Sequence, residues 1–263
     1  QGPCHGARQG SGIARRRASR HRATAPATPL NTNDRAAPRD TWILAILLLV
    51  ALVLRAPGLW QFDLWQDEIY SIYEARDLFD STIRPGGMEL RPLYFLLLHP
   101  MVEAMPRAVA FLRLPSLLFG MLGLVAVWDL ARRFFGRWVA IIATTLAVIL
   151  PLHITESQSI RYWSLIFLLS ALFTRSLLAA LETGRARDYH FALLWLLLAA
   201  LTHPTFLVAG SGIVLGAHLV RDDGRLGFQW PSRMAWMRLW LPFLGFILAW
   251  YLVLTIFFPI PRM

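Results

Sequence analysis

Seven apolar segments recur along the chain, at 42–59, 108–128, 138–152, 163–181, 189–202, 205–220 and 239–258. Several run about 18–20 residues, the length at which a helix crosses a hydrocarbon core of ~30 Å. The pattern predicts an all-α, polytopic transmembrane helical bundle. The fifth segment is short for a full crossing. Asp40 or Thr41 is placed to cap the first helix. One long polar stretch, 60–107, interrupts the series between the first two segments. Within it, Ile69, Ile72, Tyr73 and Arg76 recur at helical spacing, which predicts a short amphipathic interfacial helix inside Asp63–Asp80. Pro85-Gly86-Gly87 breaks the chain, and Leu93–Leu98 predicts a second short helix ending near His99-Pro100. The Gly212-Ile-Val-Leu-Gly216 spacing predicts close helix packing.

Residues 1–40 have no apolar period and are rich in Arg, Ala, Pro, Ser and Thr. They read as a disordered basic tail preceding a transmembrane domain at 41–263. Its run Arg15-Arg16-Arg17, with Arg20 and Arg22, suits a topology signal or contact with anionic lipid. A twin-Arg export signal fits poorly, because the apolar stretch begins some twenty residues later and no small-residue cleavage site follows it.

Composition agrees with a membrane chain: 56% of the 263 residues are hydrophobic, and mean hydropathy is +0.49. All 26 cationic side chains are Arg and the net charge is +10. Such a charge can signal nucleic acid, but these arginines cluster in tails and connections beside apolar runs, where they set orientation and not nucleic-acid binding. The tail, Arg132/Arg133/Arg137, Arg185/Arg187 and Arg221/Arg225/Arg233/Arg238 fall on one side if every segment crosses once. That side is then cytoplasmic. The opposite side receives the loop 60–107, the turn 153–162, the turn at His203 and the C-terminal end. Cys4 is the one cysteine, so there is no internal disulfide and no cysteine-rich metal site.

Four polar patches fall on that outer side. The first is Asp67-Glu68, in Trp65-Gln66-Asp67-Glu68-Ile69-Tyr70. Adjacent residues on a helix point about 100° apart. The two carboxylates therefore do not share one proton; one faces a cavity while the other makes a structural contact. The second, from Glu89 to His99, brings Arg91, Tyr94 and His99 to the start of an apolar stretch, and Arg91 suits a phosphate. The third, from His153 to Tyr162, packs Glu156, Gln158 and Arg161 into a turn that needs few polar residues to reverse the chain. The fourth is Thr202-His203-Pro204. Each patch also has an ordinary reading, as solvated interface charges, a helix-end histidine or a polar turn; their convergence on one face is the stronger signal. No HExxH, paired CxxC, P-loop or GxSxG occurs. No cofactor is demanded; a divalent metal ion would need carboxylate and histidine ligands from separate loops.

Taken in order, these residues resemble the GT-C superfamily of integral-membrane glycosyltransferases, in its dolichyl-phosphate-mannose-protein mannosyltransferase-like and aminoarabinose-transferase-like branch. The matching runs are Leu54-Arg55 to Leu59, Leu64 to Ser71, Pro92 to His99, Leu112-Arg113-Leu114-Pro115-Ser116, Ala131 to Gly136, Ser157 to Tyr162 and Thr202-His203. The resemblance spans Leu54 to about Phe206. It implies a sugar donor on a polyprenyl phosphate, a lipid, protein or glycan acceptor, and a first outer loop whose acidic residue serves that acceptor. On that basis Asp67 is the general base with Glu68 beside it, Arg161 and Arg91 face the donor phosphate, and Tyr94, His99 and His203 line the cavity. Relatives often carry Gln-Glu-Ala-Arg where this chain has Gln158-Ser159-Ile160-Arg161, and Glu156 is the candidate to replace the missing carboxylate. Relatives are also usually longer, so the chain reads as an N-terminal part truncated after its seventh segment.

The expectation is an inverting transferase in the bacterial inner membrane, with a cytoplasmic N-terminus and its active face outside. A transporter or flippase is the competing class. It would place ionisable groups or broken helices near the bilayer midplane, whereas the charges here sit mostly at segment ends, with Arg175 reaching toward the cytoplasmic side. A non-catalytic fragment is the third reading.

Overall fold

The computed structural model describes residues 38–78, 91–222, 225–228 and 232–257, with Gly2. Nearly all of the basic tail, with Cys4, and the Pro85-Gly86-Gly87 break lie outside the described residues. Among the described residues, the elements of the unit that begins at Pro38 are helices and one antiparallel hairpin. Its first half comprises α1 (Pro38–Arg55), α2 (Gly58–Gln61), α3 (Gln66–Arg76), α4 (Pro92–Ala104) and α5 (Val109–Phe134). Then come α6 (Arg137–Ile149), α7 (Pro151–Glu156), α8 (Trp163–Thr183), α9 (Ala186–Thr202) and α10 (Thr205–His218). The hairpin pairs β1 (Leu219–Asp222) with β2 (Arg225–Phe228), in the register Leu219 opposite Phe228. The short α11 (Arg233–Ala235) leads through a π-helical turn, Trp236–Trp240, into α12 (Leu241–Phe257).

Among the described residues, three helical stretches are long and apolar enough to cross a membrane: Asp40–Gln61, Val109–Phe134 and Trp163–Thr183. The helices at the other predicted spans are shorter than these three, although the fifth, Ala186–Thr202, begins before its predicted start at 189. The third segment divides, because Leu150 is extended and Pro151 starts a new helix. Its remainder, α6, has 13 residues, about 20 Å at 1.5 Å per residue. The sixth segment ends at His218, where the chain enters the hairpin.

The core gathers around α8 and α9, with Phe95, Leu98, Leu112, Phe173, Leu196 and Phe206 buried together. α4 runs past His99-Pro100 to Ala104, against the sequence expectation. Proline forfeits one backbone hydrogen bond, but Tyr94, Phe95, Leu98 and Val102 all bury on the same side and hold the helix together. α5 likewise continues through Pro115. The Gly212 and Gly216 positions have open space around them, so the predicted close packing does not occur there. Close approach falls instead at Gly58 and Gly120, where a methyl group would collide with the Gln158 amide and the Ser157 hydroxyl respectively.

Ion pairs join the helices at one end of α5. Buried Asp40 of α1 holds Arg132 at 3.0 Å and Arg137 at 3.0 Å. Arg175 of α8 pairs with Asp129 of α5, and Arg133 lies 3.6 Å from Glu182. The opposite end of α5 begins near Arg113, and the polar patches assemble there.

Candidate active site

Glu68 and Arg113 form the foundation. Their side chains are 1% and 2% exposed and meet at 2.7 Å. Arg113 donates from Nε to Oε1 and from Nη2 to Oε2 of Glu68, a bidentate pair. Its remaining hydrogens go to the carbonyls of Gly58, Leu59, Phe62 and Asp63. Glu68 also accepts from the Trp65 and Ile160 amides. This single pair thus fixes the turn 58–65, the start of α3 and the segment leading to Arg161. Every strong donor and acceptor in it is engaged, so Glu68 is held as a structural group.

A second foundation lies below. The fully buried Arg55 guanidinium has no carboxylate among its hydrogen-bond partners in the described residues. It donates to the carbonyls of Ala51, Ala147 and Val148 near the ends of α1 and α6, and to Nδ1 of His153 at 2.7 Å. Helix C-termini carry partial negative charge, which offsets the buried cation. His153 accepts this bond, so the imidazole is neutral. Burial, then the nearby Arg55 charge, pushes its pKa down to about 4. Gln158 donates to the carbonyls of Leu54 and Arg55, two of the acceptors that the end of α1 leaves unsatisfied. His153 and Gln158, read in the sequence as part of a polar turn, are therefore built into the scaffold.

Above these layers the remaining candidates converge on Tyr162. Arg91 and Arg161 each place a guanidinium 5.4 Å from the Tyr162 ring centre. His203 stacks on that ring at 4.6 Å with an interplanar angle of 20°. Arg161 pairs with Asp67 at 2.9 Å; the Asp67 side chain is 63% exposed and that of Arg161 19%. Arg91 pairs with Glu74 at 3.2 Å. Glu74 lies two turns beyond Asp67 and was not singled out in the sequence; the seven-residue spacing that puts both on one face of α3 is the signal that would have found it.

The electrostatics are mixed. Burial raises the pKa of Glu74, and Arg91 and Arg161 pull it back. Burial also raises Glu156, opposed by Arg161 and by the Ser159 hydroxyl and assisted by Asp67 and Glu68. His203 is lowered by burial and then by Arg91 and Arg161. Its Nδ1 accepts from the Thr205 amide at 3.2 Å, which leaves Nε2 as the protonated nitrogen of the neutral ring.

Two candidates have other places. Tyr94 is buried beneath the cluster, edge-on to Tyr162 at 6.1 Å. Among the described residues its hydroxyl makes no well-formed hydrogen bond, and it lies close to Ser116. Burial raises its pKa. His99 donates from Nδ1 to the Ala75 carbonyl at 2.8 Å, tying α4 to α3. Thus Asp67, Arg91, Glu156, Arg161 and His203 share one neighbourhood, Tyr94 floors it, and Glu68 and Gln158 support it. A cavity of about 620 Å³ opens on the other face of α3, away from Asp67. Among the described residues no three His, Cys, Asp or Glu side chains gather as metal ligands.

Two guanidiniums beside exposed and half-buried carboxylates, next to apolar helices, make a site able to hold an anionic head group and accept a proton. Comparison with known proteins narrows this. A family model described as dolichyl-phosphate-mannose-protein mannosyltransferase matches residues 92–252. That range contains Glu156, Arg161, Tyr162 and His203 and stops short of the α3 carboxylates. No curated protein and no solved structure matches the chain. The matched range covers well over half of the sequence and includes the paired arginines' aromatic support, so the chain belongs to the dolichyl-phosphate-mannose-protein mannosyltransferase family of GT-C-type membrane glycosyltransferases.

Proposed function

We propose that the chain transfers a sugar from a polyprenyl-phosphate donor to an acceptor hydroxyl or amine, with inversion, on the outer face of a bacterial inner membrane. The contact between Asp67 and Arg161 carries this reading. A donor phosphate competes with the Asp67 carboxylate for Arg161, and with Glu74 for Arg91. Arrival of the donor frees Asp67 next to the anomeric carbon. The acceptor oxygen or nitrogen then forms its bond to that carbon while its proton passes to Asp67. The bond from the anomeric carbon to the phosphate oxygen breaks, and the polyprenyl phosphate departs with the electron pair, its charge held by Arg161 and Arg91. Neutral His203 offers Nε2–H to a sugar or phosphate oxygen. Glu156, raised by burial, stands beside Arg161 as a second polar wall. A single displacement needs no covalent intermediate, hence inversion.

The test is Asp67→Asn in membranes. Transfer from a polyprenyl-phosphate sugar should fall by roughly 10²–10⁴-fold, while donor binding persists, because Asn no longer competes as an anion for Arg161. Undiminished transfer would overturn the assignment of the base. For sidedness, an impermeant thiol reagent applied to intact cells should label a cysteine placed at Trp65 and spare one placed at Arg133. The reverse pattern would put the site on the cytoplasmic face.

A further inference from the structure

The cavity of about 620 Å³ lies between α3, the end of α4 and the turn into α5. Its volume falls within the ~300–1,000 Å³ of ordinary ligand sites. Leu64, Ile69, Ile72 and Val102 make an apolar lining, and Arg76 and Arg107 stand at its edge. On the wheel of α3, Ile69, Ile72, Tyr73 and Arg76 are diametrically opposite Asp67, Ser71 and Glu74. This groove is therefore separate from the cluster around Tyr162.

Charge distinguishes it further. Arg91, Arg113 and Arg161 each have a carboxylate partner. Arg76 and Arg107 have no ion pair among the described residues, although both are exposed and Glu103 lines the same groove. The groove therefore carries one net positive charge over an apolar floor. Exposed Tyr73 lines it, and the same helix carries exposed Tyr70, with exposed Trp65 just before its start. Amphipathic aromatic rings of this kind settle at the head-group level of a bilayer.

We propose that this groove binds an anionic glycerophospholipid of the surrounding bilayer, with its phosphodiester between Arg76 and Arg107 and an acyl chain along Ile69, Ile72 and Val102. The head group's single negative charge matches the net charge of the groove. The seated lipid anchors α3 at the interface from the face opposite Asp67. The proposal does not depend on the donor reading, because none of these residues belongs to the Tyr162 cluster.

The experiment measures lipid binding to the detergent-purified full chain by native mass spectrometry, with phosphatidylglycerol, phosphatidylcholine and a polyprenyl phosphate as separate probes. Phosphatidylglycerol should bind in preference to phosphatidylcholine. The double variant R76Q/R107Q should weaken phosphatidylglycerol binding by roughly 10–30-fold, at about 1 kcal/mol per arginine near an anionic head group. It should leave polyprenyl-phosphate binding unchanged. Ile72→Asn should weaken phosphatidylglycerol binding with both arginines intact, and Glu103→Gln should strengthen it. Equal binding of the two phospholipids, or unaltered phosphatidylglycerol binding by R76Q/R107Q, would overturn the proposal. So would loss of polyprenyl-phosphate binding in that variant, which would assign the groove to the donor.

Discussion

The Glu68–Arg113 pair is buried under the turn 58–65, with side chains 1% and 2% exposed, whereas the Asp67–Arg161 pair is more open, with side chains 63% and 19% exposed. The acids are adjacent in sequence, and each holds a guanidinium. One pair is bidentate and also gathers backbone groups from the turn 58–65 and from Ile160. The other is a single contact open to competition. A buried, saturated pair resists exchange of partners, since separating it strands a charge away from water. An exposed pair exchanges readily, because water and ions replace either partner at little cost. The helical turn of about 100° per residue assigns one acid to the scaffold and its neighbour to the surface.

The largest effect should come from breaking the buried pair. Arg113→Met strands the buried Glu68 carboxyl without its partner and leaves the carbonyls of Gly58, Leu59, Phe62 and Asp63 without their donor. The expected loss is about 3–5 kcal/mol of stability, seen as a large fall in the thermal unfolding midpoint in detergent. Arg113→Lys should recover only part of it, since an ammonium cannot reproduce the bidentate fork or reach the carbonyls of Phe62 and Asp63. A midpoint unchanged in Arg113→Met would make the two acids equivalent and remove the contrast.

The second foundation sharpens the contrast through pH. His153 is held neutral, with its folded pKa pushed below the ordinary 6.5 to about 4 by burial and by Arg55. Between those values the unfolded chain binds more protons than the folded one. Stability is thus fully present above about pH 6.5 and declines as pH falls toward 4, by up to about 3 kcal/mol. His153→Asn can still accept from Arg55 through its amide oxygen. It should flatten the acid limb of a stability–pH profile over that window while leaving the neutral-pH midpoint nearly in place. An unflattened limb would show that the acid sensitivity arises elsewhere than His153; Glu74 and Glu156 are not its source, because their raised folded-state pKa values favour the folded chain as pH falls.

Much of this arrangement was legible from periodicity. The apolar runs located α1, α8 and α9 to within about a turn and the start of α5, which runs on past the expected 128 to Phe134, and the spacing of Ile69, Ile72, Tyr73 and Arg76 located α3. The four patches were legible as a group because alternating helices return to the same end of the bundle. What the spacing could not distinguish was which polar residues face outward. Gln158 and Arg161 are three residues apart, yet one caps α1 and the other holds Asp67. That difference depends on where α1 ends in space, a long-range fact. Arg113 stood out in the sequence only as part of one family-like run inside the second apolar segment, and its role appears only when turn 58–65 folds over it. The division of the third segment at Pro151 and the hairpin after α10 were likewise hidden, because an apolar run alone does not show whether a local break will be used.

The smallest effect tests the exposed half of the comparison. Asp67 contributes one monodentate contact, and over half of its side chain faces outward. Solvent screening reduces such a pair to about 0–1 kcal/mol, and the neighbouring Arg161 keeps its place by other means. Its backbone carbonyl accepts from Ser116 at 3.1 Å, and its guanidinium rests 5.4 Å from the centre of the Tyr162 ring. Asp67→Asn should therefore shift the unfolding midpoint by no more than the equivalent of about 0.5 kcal/mol, even as transfer collapses. Glu68→Gln, one residue along, should do the converse in stability by leaving Arg113 buried without its counter-charge. If Asp67→Asn destabilised the chain as much as Glu68→Gln, Asp67 would belong to the scaffold. A loss of transfer in that variant would then follow from unfolding and say nothing about a base.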